Sequence, residues 1–218
     1  MYVTTFNVIT YFWSKSYKPN KNMKKLITPI AALLMLSASA QVSWKVDASH
    51  SKLGFSVTHM MVSETEGKFK VYSGQVSSKT EMDFTDATIS FSVDAASINT
   101  EDEKRDGHLK SPDFFDVAKY PSISFKSTSM KPSGKGATSY NVEGDLTMHG
   151  VTKKVKFLAI GAAKTVKDPY GNIRNGFKIT GTINRKDFGL NWNAALEAGG
   201  VAVSEEVKID LNIELTKI

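Results

Sequence analysis

The chain has 218 residues, 28 basic against 22 acidic side chains for a formal charge of +6, and no cysteine. The missing cysteine excludes a disulfide framework, a thiolate metal site, a cysteine nucleophile and a lipidated N-terminal cysteine. The positive excess is confined to residues 1–40, where Lys15, Lys18, Lys21, Lys24 and Lys25 stand without an acid, so the remainder is almost neutral and the case for a nucleic-acid partner lapses.

In chain order, residues 1–40 read as a leader. Met23-Lys24-Lys25 is a basic start, Leu26 to Leu36 is apolar apart from Thr28 and Pro29, and Ala38-Ser39-Ala40 supplies the small residues that a signal peptidase reads. This predicts a signal peptide over 23–40, with the apolar run too short for the ~20 residues of a membrane-spanning helix. Residues 1–22 add nothing to that signal and read as a start-site miscall. Residues 41–218 are then one exported, soluble, periplasmic domain.

After residue 40 the dominant pattern is period-two alternation, the mark of half-buried strands. It places Leu53, Phe55 and Val57 on one face, then Phe69 and Val71, then Ile89, Phe91 and Val93, then Ile123 and Phe125. Val142, Leu146 and Met148 follow, then Val155, Phe157 and Ala159, then Phe177, Ile179 and Ile183, and finally Val207 to Leu215. About eight long strands are predicted. His149-Gly150 is the length of a tight hairpin turn, and Asp168-Pro169-Tyr170-Gly171 reads as a type I turn. Between the third and fourth strands, Thr100 and Glu103 form a capping box that predicts a short helix, and Ser111-Pro112-Asp113 predicts a second one. Closing the sheet on itself removes exposed edges, so an all-β barrel is the expected fold. A two-sheet sandwich has the same alternation.

The polar candidates are sparse. His50, His59, His108 and His149 form no metal-ligand spacing, so no metal or cofactor is expected. Asp47, Ser49 and His50 invite a hydrolase reading, but no nucleophile motif surrounds them, and no catalytic residue is assigned. Arg105-Asp106-Gly107-His108 and Arg185 read either as surface ion pairs or as a polar lip at a barrel mouth. The twelve phenylalanines fall largely on the inward faces, where a filled core and a lined cavity look alike.

The order Trp44-x-x-Asp47-x-x-His50-Ser51 then Phe55-x-Val57-x-His59 resembles the opening of the YceI-like family of lipid/polyisoprenoid-binding proteins. So do Arg105-Asp106-x-His108-Leu109, Ser111-x-Asp113-Phe114-Phe115, Tyr120-Pro121-x-Ile123-x-Phe125, Gly144-x-Leu146-Thr147-Met148-His149-Gly150 and Arg185-x-Asp187-Phe188-Gly189. The resemblance implies an extended lipocalin-like eight-stranded antiparallel barrel around an apolar channel. It implies a periplasmic binding protein, not an enzyme, holding a long-chain isoprenoid, a quinone or a related amphiphilic lipid. The tail would lie among Phe55, Val57, Phe69, Phe91, Phe114, Phe115, Phe125, Leu146, Phe157, Phe177, Phe188 and Trp192. The polar rim would be His59, Arg105, Asp106, His108 and Arg185. Transient membrane contact and a homodimer are left open. An enzyme acting on a lipid-linked substrate, and an envelope interaction protein with a filled barrel, are the alternatives.

Overall fold

The computed structural model describes residues 41–218 apart from Ala137 and Ala198, and most of the alternating runs form strand. The leader over 1–40, with the signal peptide at 23–40, lies outside the described residues. The strands are β1 (Val42–Val46), β2 (Lys52–His59), β3 (Ser63–Phe69), β4 (Tyr72–Ser78), β5 (Thr88–Asp94) and β6 (Ile98–Asn99). The helix α1 (Glu103–Lys110) follows, then β7 (Ser122–Pro132), β8 (Ser139–Met148), β9 (Val151–Gly161), β10 (Val166–Lys167), β11 (Ile173–Asn184) and β12 (Val203–Lys217).

All pairings are antiparallel, and they close a ring. The last strand, β12, pairs β11 along its length on one side, and β1 and β2 on the other. β1 and β2 are two halves of one wall strand, interrupted at residues 47–51. β3 and β4 break at residues 70–71, and β5 and β6 break at a 3-10 turn, Ala95–Ser97. Counting each broken pair as one, the barrel has eight strands in simple up-and-down order, with β10 an extra edge beside β11. Closure decides between the barrel and the sandwich. The breaks also explain a difference in detail: Val71, predicted inward with Phe69, falls in the β3–β4 break and is exposed.

The turns behave as their residues dictate. His149 and Gly150 both take positive φ, 52° and 75°, between the paired Met148 and Val151, the geometry of a primed hairpin turn. Gly171 N–H donates to the Asp168 carbonyl at 3.0 Å, closing the expected four-residue turn.

The crossover departs from expectation. Asp102, not Thr100, caps α1, its carboxylate accepting from the Arg105 amide at 3.0 Å. The Thr100 hydroxyl is engaged elsewhere: it donates to the Asp106 carboxylate at 2.6 Å and accepts from Arg105 Nε at 2.8 Å. No second helix starts at Ser111, which instead caps the end of α1. An eight-residue helix leaves its last carbonyls without partners. Here the Ser111, Phe115 and Val117 amides supply them, donating to His108, Leu109 and Lys110. That return path folds Phe114 and Phe115 back over the barrel end.

Candidate functional site

The interior is not filled. A cavity of about 630 Å³ runs along the barrel axis, within the range of ~300–1,000 Å³ usual for ligand sites. Its walls are aliphatic and aromatic side chains from every wall strand, among them Leu53, Val76, Ile89, Ile123, Val142, Ile179, Val207 and Leu211.

A residue-level device keeps it open. Five inward phenylalanines lie over a glycine on the neighbouring strand: Phe55 over Gly67, Phe91 over Gly74, Phe125 over Gly144, Phe157 over Gly181 and Phe177 over Gly161. A Cβ at any of these glycines would sit closer than 3.0 Å to the ring. Without that carbon, each ring packs against the wall instead of reaching across the lumen. Edge and tilted aromatic contacts continue the lining: Phe55 to Phe69 at 5.8 Å, Phe69 to Phe115 at 5.9 Å, and Phe125 to Phe157 at 5.9 Å.

One end is plugged. Phe84, in the β4–β5 connection, stands between Trp44 at 5.8 Å and Phe177 at 4.8 Å, and only 2% of it is exposed. Trp44 is fully buried, its indole N–H donating to Ser78 Oγ at 2.9 Å. The other end is the mouth, formed by α1, the β2–β3 hairpin and residues 190–203. Polar groups reach the lining mainly here: His59, Thr65, Thr100, Lys104, Arg105, His108 and Arg185. His108 lies edge-on to Phe114 and Trp192 at 5.1 and 4.9 Å, and its Nε2 meets Asp113 at 3.0 Å.

Most of the predicted tail residues line the cavity: Phe55, Val57, Phe69, Phe91, Phe114, Phe115, Phe125, Leu146, Phe157, Phe177 and Trp192. Phe188 does not. It is 1% exposed in the 3-10 turn Arg185–Phe188, where its carbonyl faces His149 Nδ1 at 3.2 Å, so it is packing and not lining. Of the predicted rim, His59, Arg105, His108 and Arg185 line the mouth, whereas Asp106 is buried behind it and holds the Thr100 amide and hydroxyl at 2.8 and 2.6 Å. Thr100 thereby orients Arg105, whose Nε and Nη2 are held by the Thr100 hydroxyl and carbonyl. Arg185 does a different job from the one expected. It donates to the carbonyls of Ser204, Leu190 and Trp192 at 2.9, 2.5 and 2.8 Å, stitching the 190–204 segment to the barrel, and burial pushes its pKa down.

Phe84 escaped the sequence reading because it lies in an irregular segment without alternation. Its immediate neighbours Asp83 and Thr85 are polar, but Met82 and Asp86 do not continue an alternation that would give it a face.

Asp47, Ser49 and His50 do not line the cavity and serve the wall. They fill the β1–β2 break, where Asp47 accepts from Ser49 Oγ and meets His50 Nδ1 at 2.9 Å. Arg174 ties Asp47 to Asp168 and Glu214 at 2.6, 2.8 and 2.6 Å. Hydrogen bonds from Ser49, His50 and Arg174 hold Asp47 well below the usual carboxylate range, and the bond to Asp47 raises the His50 imidazole. Among the described residues Asp47, His50 and Glu214 are the one group that brings three metal-type ligand atoms together, within 4.8 Å. Arg174 already brings a cation to two of them.

The YceI-like domain profile matches residues 44–215, the whole barrel. The chain belongs to the YceI-like family. A UPF0312 protein of Staphylococcus aureus is 37% identical over 172 residues, covering 78% of this chain and 95% of that one. Among solved structures, BcnA of Burkholderia cenocepacia superposes with a TM-score of 0.66 at 25% identity, over 78% of this chain and 98% of its own. The YceI protein of Campylobacter jejuni gives 0.62 at 26% identity, over 79% and 96%. A domain from Saccharophagus degradans described as polyisoprenoid-binding shares the fold, with a TM-score of 0.57 at 18% identity over 81% and 99%.

Proposed function

We propose that this YceI-like chain is a carrier or sequestering protein for a long-chain isoprenoid or related amphiphilic lipid, acting without catalysis in the periplasm. The observation that carries the reading is the open apolar tunnel, plugged at Phe84 and polar mainly at its mouth. The polyisoprenoid-binding description of the Saccharophagus degradans domain, which has the same fold, supports it. The leader pattern over 23–40 supports export.

The cavity sets a scale. A carbon unit takes roughly the ~30 Å³ of a water molecule, so 630 Å³ holds on the order of twenty carbons. At ~0.8 kcal/mol each, their burial is worth about 16 kcal/mol gross. That is below the ~20 kcal/mol at which non-covalent affinity saturates, and ordering a flexible chain takes a large share of it. A longer tail gains nothing from carbons beyond Phe84. The headgroup would meet Arg105, Lys104 and His108 at the mouth.

Native mass spectrometry of the purified chain, followed by solvent extraction and titration with ubiquinone and a polyprenyl phosphate, tests this. A copurifying lipid or saturable one-to-one binding is expected. An empty protein that binds neither probe would overturn it.

A further inference from the structure

The β2–β3 hairpin turns through Met60, Met61 and Val62, and its chemistry is wrong for a stable turn. Met60 and Met61 both adopt positive φ, 48° and 62°, and the Val62 amide donates to the His59 carbonyl at 3.1 Å. Consecutive left-handed residues are the preserve of Asn-Gly and Asp-Gly, and an unbranched apolar side chain there is strained. Strain of that kind persists where the side chains themselves are needed. These side chains are displayed to solvent: Met61 is 63% and Val62 84% exposed.

The tip is continuous with the cavity mouth. His59, one residue before the turn, lines the cavity, as do Ala202 and Val203 opposite. The Met60 amide donates to the Ala202 carbonyl at 2.9 Å, and Met61 lies so close over Gly200 that a Cβ there would collide with it. Val201, 41% exposed, extends the patch. Neither Met60–Ser63 nor Gly199–Val203 carries a charge.

We propose that the Met60-Met61-Val62 tip, with Val201, is a membrane-docking element that inserts into the apolar boundary of a lipid bilayer and sets the barrel mouth against it. A lipid surface is the occupant because the patch rims an opening into a hydrocarbon-lined tunnel. Flexible, polarizable methionines also suit a fluid, non-specific surface. A tail passing directly between bilayer and tunnel would avoid exposing its carbons to water. The role in lipid exchange rests on the function proposed above; the docking does not. Few side chains are involved, so binding should be weak and reversible, comparable to the ~10⁴ M⁻¹ of a single myristoyl chain.

The test is co-flotation of the full mature chain with phosphatidylcholine vesicles and with phosphatidylethanolamine–phosphatidylglycerol vesicles, compared with Met60→Asn/Met61→Gly and with Val62→Ser. The double variant installs favoured turn residues, so it should melt at a higher temperature while vesicle binding falls roughly tenfold or more. The uncharged tip predicts that wild-type binding occurs on both vesicles and survives added salt. Transfer of ubiquinone to acceptor vesicles should speed up with vesicle concentration in the wild type and lose that dependence in the variant. Failure of the wild type to float, or equal flotation of the double variant, overturns docking. Loss of a concentration-dependent dimer in the variant, without vesicle binding by the wild type, would instead assign the tip to a second copy of the chain. Flotation by a protein that binds neither ubiquinone nor a polyprenyl phosphate would leave docking intact and sink the carrier function alone.

Discussion

Phe157 and Gly181 show how a single missing carbon shapes the interior. A Cβ at Gly181 would meet the Phe157 ring and sit 3.2 Å from the Lys156 carbonyl, so the ring would have to swing into the lumen. Gly181→Val should therefore cost about 1–3 kcal/mol by overpacking. It should also cut the amount of ubiquinone bound at saturation, as read by thermal melting and fluorescence titration. Phe84 tests the opposite direction. Replacing a buried phenylalanine by alanine costs about 3–5 kcal/mol, but here the space opens at the end of the tunnel. Phe84→Ala should lower the melting temperature of the empty protein, and a longer polyprenyl tail should restore more of the loss than a shorter one does. Melting curves with polyprenols of graded length would check this, and equal rescue by all lengths would show that Phe84 is not the end stop. The inward phenylalanines were legible in the sequence from alternation alone. Their glycine partners were not, because each pair joins residues from different strands and depends on register.

The broken strands concentrate ionic chemistry at one element. At the β1–β2 break, Asp47 is bound by Ser49, His50 and Arg174, and the Ser51 hydroxyl accepts the Glu214 amide at 2.8 Å. The folded state raises His50 above its ordinary 6.5, chiefly through its hydrogen bond to Asp47. A raised pKa stabilises fully below the unfolded value, and the contribution is lost as pH climbs through the folded one. Asp47 is depressed, so its contribution is present above its ordinary 3.8 and fades as pH falls toward the folded value. Both hold together between those two ordinary values. His50→Gln should lower the melting temperature most near pH 5–6 and least near pH 8. A pH-independent difference would show that the imidazole acts by packing alone. The crossover shows where local signals mislead. Thr100 and Glu103 make a sound capping box, yet the Thr100 hydroxyl bridges Asp106 and Arg105 instead, so a tertiary pairing overrode the local one. Ser111-Pro112 looked like a helix start for the same local reasons, but the unsatisfied end of α1 claimed the Ser111, Phe115 and Val117 amides.

At the scale of the whole molecule, the barrel depends on β12, whose fifteen residues face β11 on one edge and β1 and β2 on the other. The eight-strand ring was readable from spacing and turns, and its closure was expected because a barrel leaves no exposed edge, although alternation alone is the same in a sandwich. Removing residues 207–218 should open the ring and expose the tunnel. Such a chain is expected to lose cooperative melting and bind a hydrophobic dye, and sharp unfolding by the truncated form would refute that dependence.

The same closing role orders events at birth. The segment that seals the cylinder, Val203–Lys217, is made after every other wall strand, and one of its partners, Val42–Val46, is made first. Until β12 has been made there is no enclosed space, only an open ribbon with an apolar face. A chain still lacking β12 therefore has no closed cavity in which to hold a ligand, and the tunnel comes into being only when the first and last wall strands meet.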